Sequence, residues 1–234
     1  MEQVQEHTGA LDALNSVLIT EEISRRPGRA PDYAGENRAL LAIGSELTSG
    51  GDPLSRLCSA ALELCRGQTA GISLIEPDGA ESVFRWVALA GQWASYKGGS
   101  LPRNASPCGI VIDRNAAQLM SRPHIFFSAM RDATPPIGEV LLVPFSVLGE
   151  PVGTVWVIAH DDTRHFDSED LRLMRSLANL AAAAYLVQTA VERGIQARDE
   201  LNRANARLNR SNERLWNKLL ENNLVDGPDG VIGR

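Results

Sequence analysis

The chain has 234 residues, of which 23 are Lys or Arg and 29 are Asp or Glu, for a formal net charge of -6. At about 100 to 200 residues per domain this length carries one substantial domain with extensions, and the acidic balance excludes nucleic acid or an anionic membrane as the main partner. The N-terminus has neither the basic start and apolar run of a secretion signal nor the ~20 apolar residues that span a bilayer, so a cytoplasmic protein is expected.

Residues 9–24 place Leu11, Leu14, Val17 and Leu18 at helical spacing, which predicts a short amphipathic helix. The stretch RRPGRAPDYAG that follows has connector composition, so residues 1–35 read as an N-terminal segment with a linker. Helical periodicity restarts at Glu36 with Leu40, Leu41, Ile43 and Leu47, and stops at SGGDP. Asp52 as N-cap and Pro53 at the first helical position then start a second helix that runs to Cys65. Cys58 and Cys65 lie seven apart on its apolar face and are expected to be buried structural thiols. With Cys108 they form no CxxC pair, no even disulfide framework and no metal-ligand spacing.

Four β-rich runs come next: TAGISLIEP, SVFRWVALAG, GEVLLVPFSV and PVGTVWVIAHD. Asp78-Gly79 joins the first two and Leu148-Gly149-Glu150 the last two, each a hairpin signal. The roughly 45 residues between the hairpins are too many for a passive connection, so they should carry small elements of their own and the site. Within them Ser106, Pro107, Cys108 and Gly109 make a helix start, with Ser106 as N-cap. Unpaired N–H groups there favour a carboxylate or phosphate and lower the pKa of a thiol, and Arg103 upstream adds to both effects. His124 has no partner at ligand spacing, while His160 and His165 flank a turn where capping suffices. Asp161, Asp162 and Asp167 lack the alternating ligands and glycine of a calcium loop.

From Phe166 the chain turns helical to about Asn222, with Asp167 or Ser168 as the cap. Val187, Gly194, Leu201, Leu208 and Leu215 repeat every seven residues, with Ala190, Ala197, Ala204, Ser211 and Lys218 three positions on. That pattern predicts a dimeric coiled coil with a weak second seam. The expected divisions are 1–35, a domain over 36–190, a coiled-coil helix over 191–224 and a frayed tail over 225–234.

This order of elements predicts an α+β fold: an antiparallel sheet with helices on one face, a pocket insert over the other, and a long C-terminal helix. On the segments AGISLIEPDG, SPCGIVID, LLVPF, GEPVGTVWVIAHD and RHFDSEDLRLMRSLA, the region from Glu36 to about Ala190 resembles a GAF domain. It is most similar to the sensor modules of bacterial two-component histidine kinases, whose preceding segment resembles LITEEISRRPGRAPDYAGENRAL in this sequence. The resemblance implies a GAF/PAS-like pocket with the helix at Ser106 over the open face of the sheet. Its ligand-binding residues would be Arg103, Ser106, Cys108, Gly109, Trp86, Trp93, Phe127 and Phe145, with Trp156 and Phe126 as further aromatics of the same region.

Departures from relatives narrow the expectation. The cyclic-nucleotide pattern is matched at Phe166 and Asp170 but broken by Leu171 and by His160-Asp161 upstream. Bilin attachment commonly uses a cysteine followed by histidine, and Gly109 follows Cys108. The resulting expectation is a non-enzymatic sensor of a small ligand or of redox state, homodimeric, signalling to a histidine kinase or similar partner, with no cofactor identified. Its alternatives are a redox enzyme using Cys108 on a small sulfur-containing substrate and a scaffold with a collapsed pocket.

Overall fold

The computed structural model describes residues 12–221, so the expected tail and the first turn of the N-terminal helix lie outside the described residues. Residues 12–17 are helical (α1). Next come α2 (Glu22–Arg25), α3 (Tyr33–Ser49) and α4 (Pro53–Leu64), then the hairpin β1 (Thr69–Asp78) and β2 (Glu81–Gly91). The insert holds β3 (Ser100–Pro102), α5 (Pro107–Arg114) and β4 (Gln118–Ser121), and the chain closes with β5 (Glu139–Val147), β6 (Glu150–Ala159) and α6 (Ser168–Glu221). The strands form one sheet in the order β3-β2-β1-β6-β5-β4, with every neighbouring pair antiparallel.

The predicted caps are in place. The Asp52 carboxylate accepts the Ser55 N–H at 3.0 Å, and Ser106 Oγ accepts the Cys108 N–H at 3.2 Å. Asp167 Oδ1 takes the N–H groups of Glu169 and Asp170 at 2.9 and 3.0 Å, which starts α6. Each cap satisfies donors that the first helical turn leaves open. Both hairpins close in register, Asp78 against Glu81 and Val147 against Glu150.

The sheet separates two cores. On one face α3, α4 and the first turns of α6 bury Ile43, Leu57, Cys58, Cys65, Met174 and Leu177 against Ile72, Leu141 and Val155. Cys58 and Cys65 are the structural thiols their spacing predicts, and burial pushes both thiol pKa values far up. On the other face α5 and the insert enclose Phe84, Trp93, Cys108, Met120, Phe127 and Trp156.

The N-terminal segment departs from its connector reading. Leu14 and Val17 of α1 are buried in the insert-side core, and Ile23 of α2 is buried in the helix-side core. Between them Leu18 bridges Met120, and the Ile19 N–H donates to the Leu119 carbonyl at 2.9 Å, covering the free edge of β4. Asp32 caps α3 by accepting the Gly35 N–H at 2.8 Å. Residues 12–32 are thus packed parts of the domain, held by partners distant in sequence.

Compactness divides the chain into one unit ending at Leu186 and a second beginning at Val187. In the second unit every residue from 190 to 218 is exposed, the leucines of the predicted stripe among them.

Candidate functional site

The insert-side face of the sheet is built by strand parity. On β6, Thr154, Trp156 and Ile158 share one face; on β5, Val140 and Leu142 share it. Trp156, Ile158, Val140 and Leu142 form the floor of a chamber whose walls are Trp86, Trp93, Leu101, Met130 and Ile137, and whose roof is the first turn of α5 at Ser106, Pro107 and Cys108. The free space is about 20 Å³, enough for one water at most.

At the α5 end the chamber is polar without being charged. Thr154 Oγ1 donates to Cys108 Sγ at 3.1 Å. Trp156 Nε1 donates to Ser73 Oγ at 2.8 Å, and Ser73 stands opposite Thr154 in the β1–β6 register. Burial pushes the Cys108 thiol up, outweighing the hydrogen bonds of Thr154, Ser106 and Ser73, so it stays protonated. This reverses the sequence expectation: a helix start lowers a thiol's pKa only where the thiolate also keeps contact with a cation or solvent, and Cys108 has neither.

Aromatic rings make the opposite wall. Trp93 is almost fully buried, with ring centroids 6.2 Å from Trp86, 5.8 Å from Tyr96, 6.3 Å from Trp156 and 5.5 Å from His160. Its Nε1 donates to the Pro135 carbonyl at 3.1 Å and its backbone N–H to Thr69 Oγ1 at 3.3 Å. His160 completes the set: Nδ1 lies 2.8 Å from the Pro136 carbonyl and Nε2 lies 2.8 Å from Thr69 Oγ1. A carbonyl only accepts, so Nδ1 carries the proton and Nε2 accepts from Thr69. Burial holds the His160 pKa below its ordinary value, in keeping with that neutral form.

Of the residues expected at the site, the structure brings together Ser106, Cys108, Trp86 and Trp93. Phe127 is buried in the same core, edge-on to Phe126 at 4.9 Å, and does not line the chamber. Gly109 serves packing: a Cβ there would lie 2.2 Å from the Arg103 carbonyl oxygen, so only glycine permits this approach of α5 to the preceding turn. Two expectations are corrected. Arg103 turns outward to pair with Asp113 on the exposed side of α5, because a free guanidinium inside an apolar chamber would lose its solvation without a counter-ion. Phe145 belongs to the helix-side core, since its parity on β5 is that of Leu141 and Val143.

Sequence reasoning missed Ser73, Thr154, Met130 and Ile137. The signal for the first two was parity, Thr154 being two residues from Trp156 and Ser73 its cross-strand partner. Phe166 and Asp170, the positions that match the cyclic-nucleotide pattern, are on the helix side: Phe166 is in that core, and Asp170 accepts from Arg29 and Arg164. Among the described residues no group of His, Cys, Asp and Glu gathers as a metal site, and no helix is long and apolar enough to cross a membrane.

Comparison with solved structures finds the same fold at low identity. The GAF domain of a phosphoenolpyruvate-protein phosphotransferase from Acinetobacter superposes with TM-score 0.55 at 16% identity, over 68% of this chain and 95% of that one. The corresponding GAF domain from Coxiella burnetii gives 0.53 at 16%, over 69% and 99%. A phycocyanobilin-bound GAF domain from a cyanobacterial phytochrome gives 0.52 at 13%, over 67% and 96%. No curated protein matches the chain. The profile of the GAF domain matches residues 52–185, more than half of the sequence, from the α4 cap through the first third of α6. By that match and by its six-stranded sheet with a roofed chamber, the chain belongs to the GAF domain family.

Proposed function

We propose that the chain is a sensory module that takes a small uncharged ligand into the aromatic chamber. Its occupancy would pass through α6, paired with the α6 of a second copy, to a signalling partner such as a cytoplasmic histidine kinase. The observation that carries this reading is a chamber wall of rings and aliphatic groups, with the Ser106 hydroxyl and the Cys108 thiol at one end and no charged side chain. An anion buried there would meet no cation and would cost more than its contacts return. With free space of about 20 Å³, binding of anything larger than a water would require the insert around the lining residue Met130 to shift, and a ligand would then favour the open state by its extra affinity for it.

The exposed stripe of Val187, Leu201, Leu208 and Leu215 supports helix pairing, because apolar residues at heptad spacing gain by burial only against another helix. The redox-enzyme alternative has less behind it. The Cys108 thiol is protonated, and Cys58 and Cys65 belong to the core on the other side of the sheet, so no second thiol is placed to resolve an oxidised sulfur.

Native mass spectrometry of freshly purified protein tests the ligand. A co-purified neutral mass, or stabilisation by neutral but not anionic aromatic compounds of equal size, is expected; stabilisation by anions alone would overturn the uncharged-ligand reading. Sedimentation of the intact chain and of a version ending at Ala190 tests pairing, and a monomer in both cases would remove it.

A further inference from the structure

One segment has buried residues in both cores. Leu14 and Val17 sit among the insert-side residues with Met120, Val111 and Cys108. Six residues beyond Val17, Ile23 is buried with Phe166, Met174 and Leu177 around the root of α6. Past it, Arg26 makes a two-pronged pair with Glu139 at 2.8 and 2.9 Å and also donates to the Phe166 carbonyl at 2.8 Å. Glu139 opens β5, one residue before the chamber-floor residue Val140. Arg29 donates to Asp170 at 2.6 Å, and its backbone N–H donates to Asp167, the α6 cap, at 3.1 Å. Gly28 lies so close to α6 that a Cβ would stand 2.6 Å from Ser168 Oγ.

These contacts have an order. The chain passes from the insert-side core that includes the roof residue Cys108, around the β4 edge, to the carboxylates that start α6. The pairs are charge-assisted and nearly buried, and losing one partner strands the other in a poorly solvated site. The fit is also incomplete: Arg29 Nε is buried and makes no hydrogen bond among the described residues, with the Asp167 carboxylate 3.9 Å away, so release from this lock gives that group a hydrogen bond to water that it lacks when closed.

We propose that residues 14–29 act as a latch that couples the chamber roof to the first turn of α6, with Leu14 and Val17 at the reading end and Arg26 and Arg29 at the locking end. Displacement of the roof draws on the latch and loosens Glu139, Asp167 and Asp170. The latch rests on the sensory reading for its purpose, whereas its mechanical coupling is testable without any ligand.

Hydrogen exchange on the full chain reads the coupling. Leu14→Ala, at the roof end, is expected to speed exchange of amides 167–175 by about tenfold or more, while β1 and β2 amides keep their protection. Arg26→Lys, which keeps the charge and loses the two-pronged geometry, should speed exchange at the same amides and carry the effect back to residues 12–20. Arg25→Gln removes only exposed pairs with Glu21 and Glu22 within the segment and should leave 167–175 unchanged. Leu14→Ala confined to residues 12–20 and the roof, with 167–175 unaltered, would overturn the latch. So would an Arg25→Gln effect at 167–175 as large as that of Arg26→Lys. Neither result bears on whether the chamber takes a ligand.

Discussion

The two faces of the sheet are filled in different ways. The helix side holds mainly aliphatic groups, alanines and two cysteines, with Phe145, Phe166 and Met174 among them, backed by three helices. The insert side holds large rings, thioethers and hydroxyls around a small void, backed by the eight-residue α5, the short α1 and irregular turns. Close packing by many small contacts makes the first face rigid, because a lost methylene leaves a hole that nothing fills. The second is held by a few directional bonds, among them those of Trp93, Thr69 and His160, and a face built in that way can rearrange by exchanging them. Stability and adaptability are thus divided between two surfaces of the same strands.

The largest expected effect breaks the packed face. Leu57 is fully buried in the helix-side core, and Leu57→Ala should cost about 2–5 kcal/mol in urea unfolding. Met130→Ala, in the chamber wall and only partly buried, should cost about 1 kcal/mol or less, since the void beside it lets neighbours relax. Equal losses would show that the two faces are equally rigid.

The next effect concerns the polar end of the chamber. Cys108→Ala removes the sulfur that accepts from Thr154 and leaves a buried hydroxyl without its partner, for a loss of about 1–3 kcal/mol. Cys108→Ser restores an acceptor and should recover part of that loss by the same unfolding assay. Thiol labelling adds a kinetic reading: with all three cysteines buried, native protein should react only as fast as it opens.

The faces should also separate on a pH scale. On the insert side the pKa of His160 is lowered by burial, so the unfolded chain binds its proton more readily. The neutral form's contribution is then whole above about pH 6.5 and declines as pH falls below that value. On the helix side, burial raises Glu139 and Asp167 but is outweighed. Arg26, with His165 and the Phe166 N–H, holds Glu139 below the carboxylate range, and the N–H groups of Asp170, Arg29 and Glu169 do so for Asp167. A depressed carboxylate contributes stability above its unfolded pKa of about 4 and loses it as pH falls through the folded value. Tryptophan emission, with Trp86, Trp93 and Trp156 on the chamber side, should change from about pH 6.5 downward. Helical circular dichroism should hold until below about pH 4. Coincident transitions would mean that the sheet couples both faces into one unit.

What was legible in the sequence followed from local chemistry. Asp52-Pro53, Ser106-Pro107 and Asp167 are caps whose partners lie two or three residues away, and each starts its helix where the residues predict. The hairpins were legible for the same reason. The latch was not: Arg26 and Arg29 find Glu139 and Asp170 across more than a hundred residues, and a stretch rich in arginine, proline and glycine reads as a connector until its partners are in place. The placement of Phe145 failed on parity. The run EVLLVPFSV is apolar at both odd and even positions, so no alternation marks which residues face the chamber. The strands β3 and β4 span three and four residues, too few for any period to register.

The smallest expected effect leaves both faces untouched and so calibrates the others. Leu148 stands at the tip of the β5–β6 hairpin, 91% exposed, with φ +53° beside Gly149 at φ +87°. A branched apolar side chain pays for that left-handed conformation and gains nothing from burial, whereas Asn tolerates it and Asn-Gly is the favoured pair for such a turn. Leu148→Asn should therefore stabilise the domain by about 0.5–1 kcal/mol, read as a rise of a few degrees in thermal midpoint. Because β5 and β6 form the floor of the chamber and the backing of the helix-side core alike, tightening their hairpin should shift both acid transitions to lower pH together. A downward shift in only one would show that the hairpin belongs energetically to that face alone.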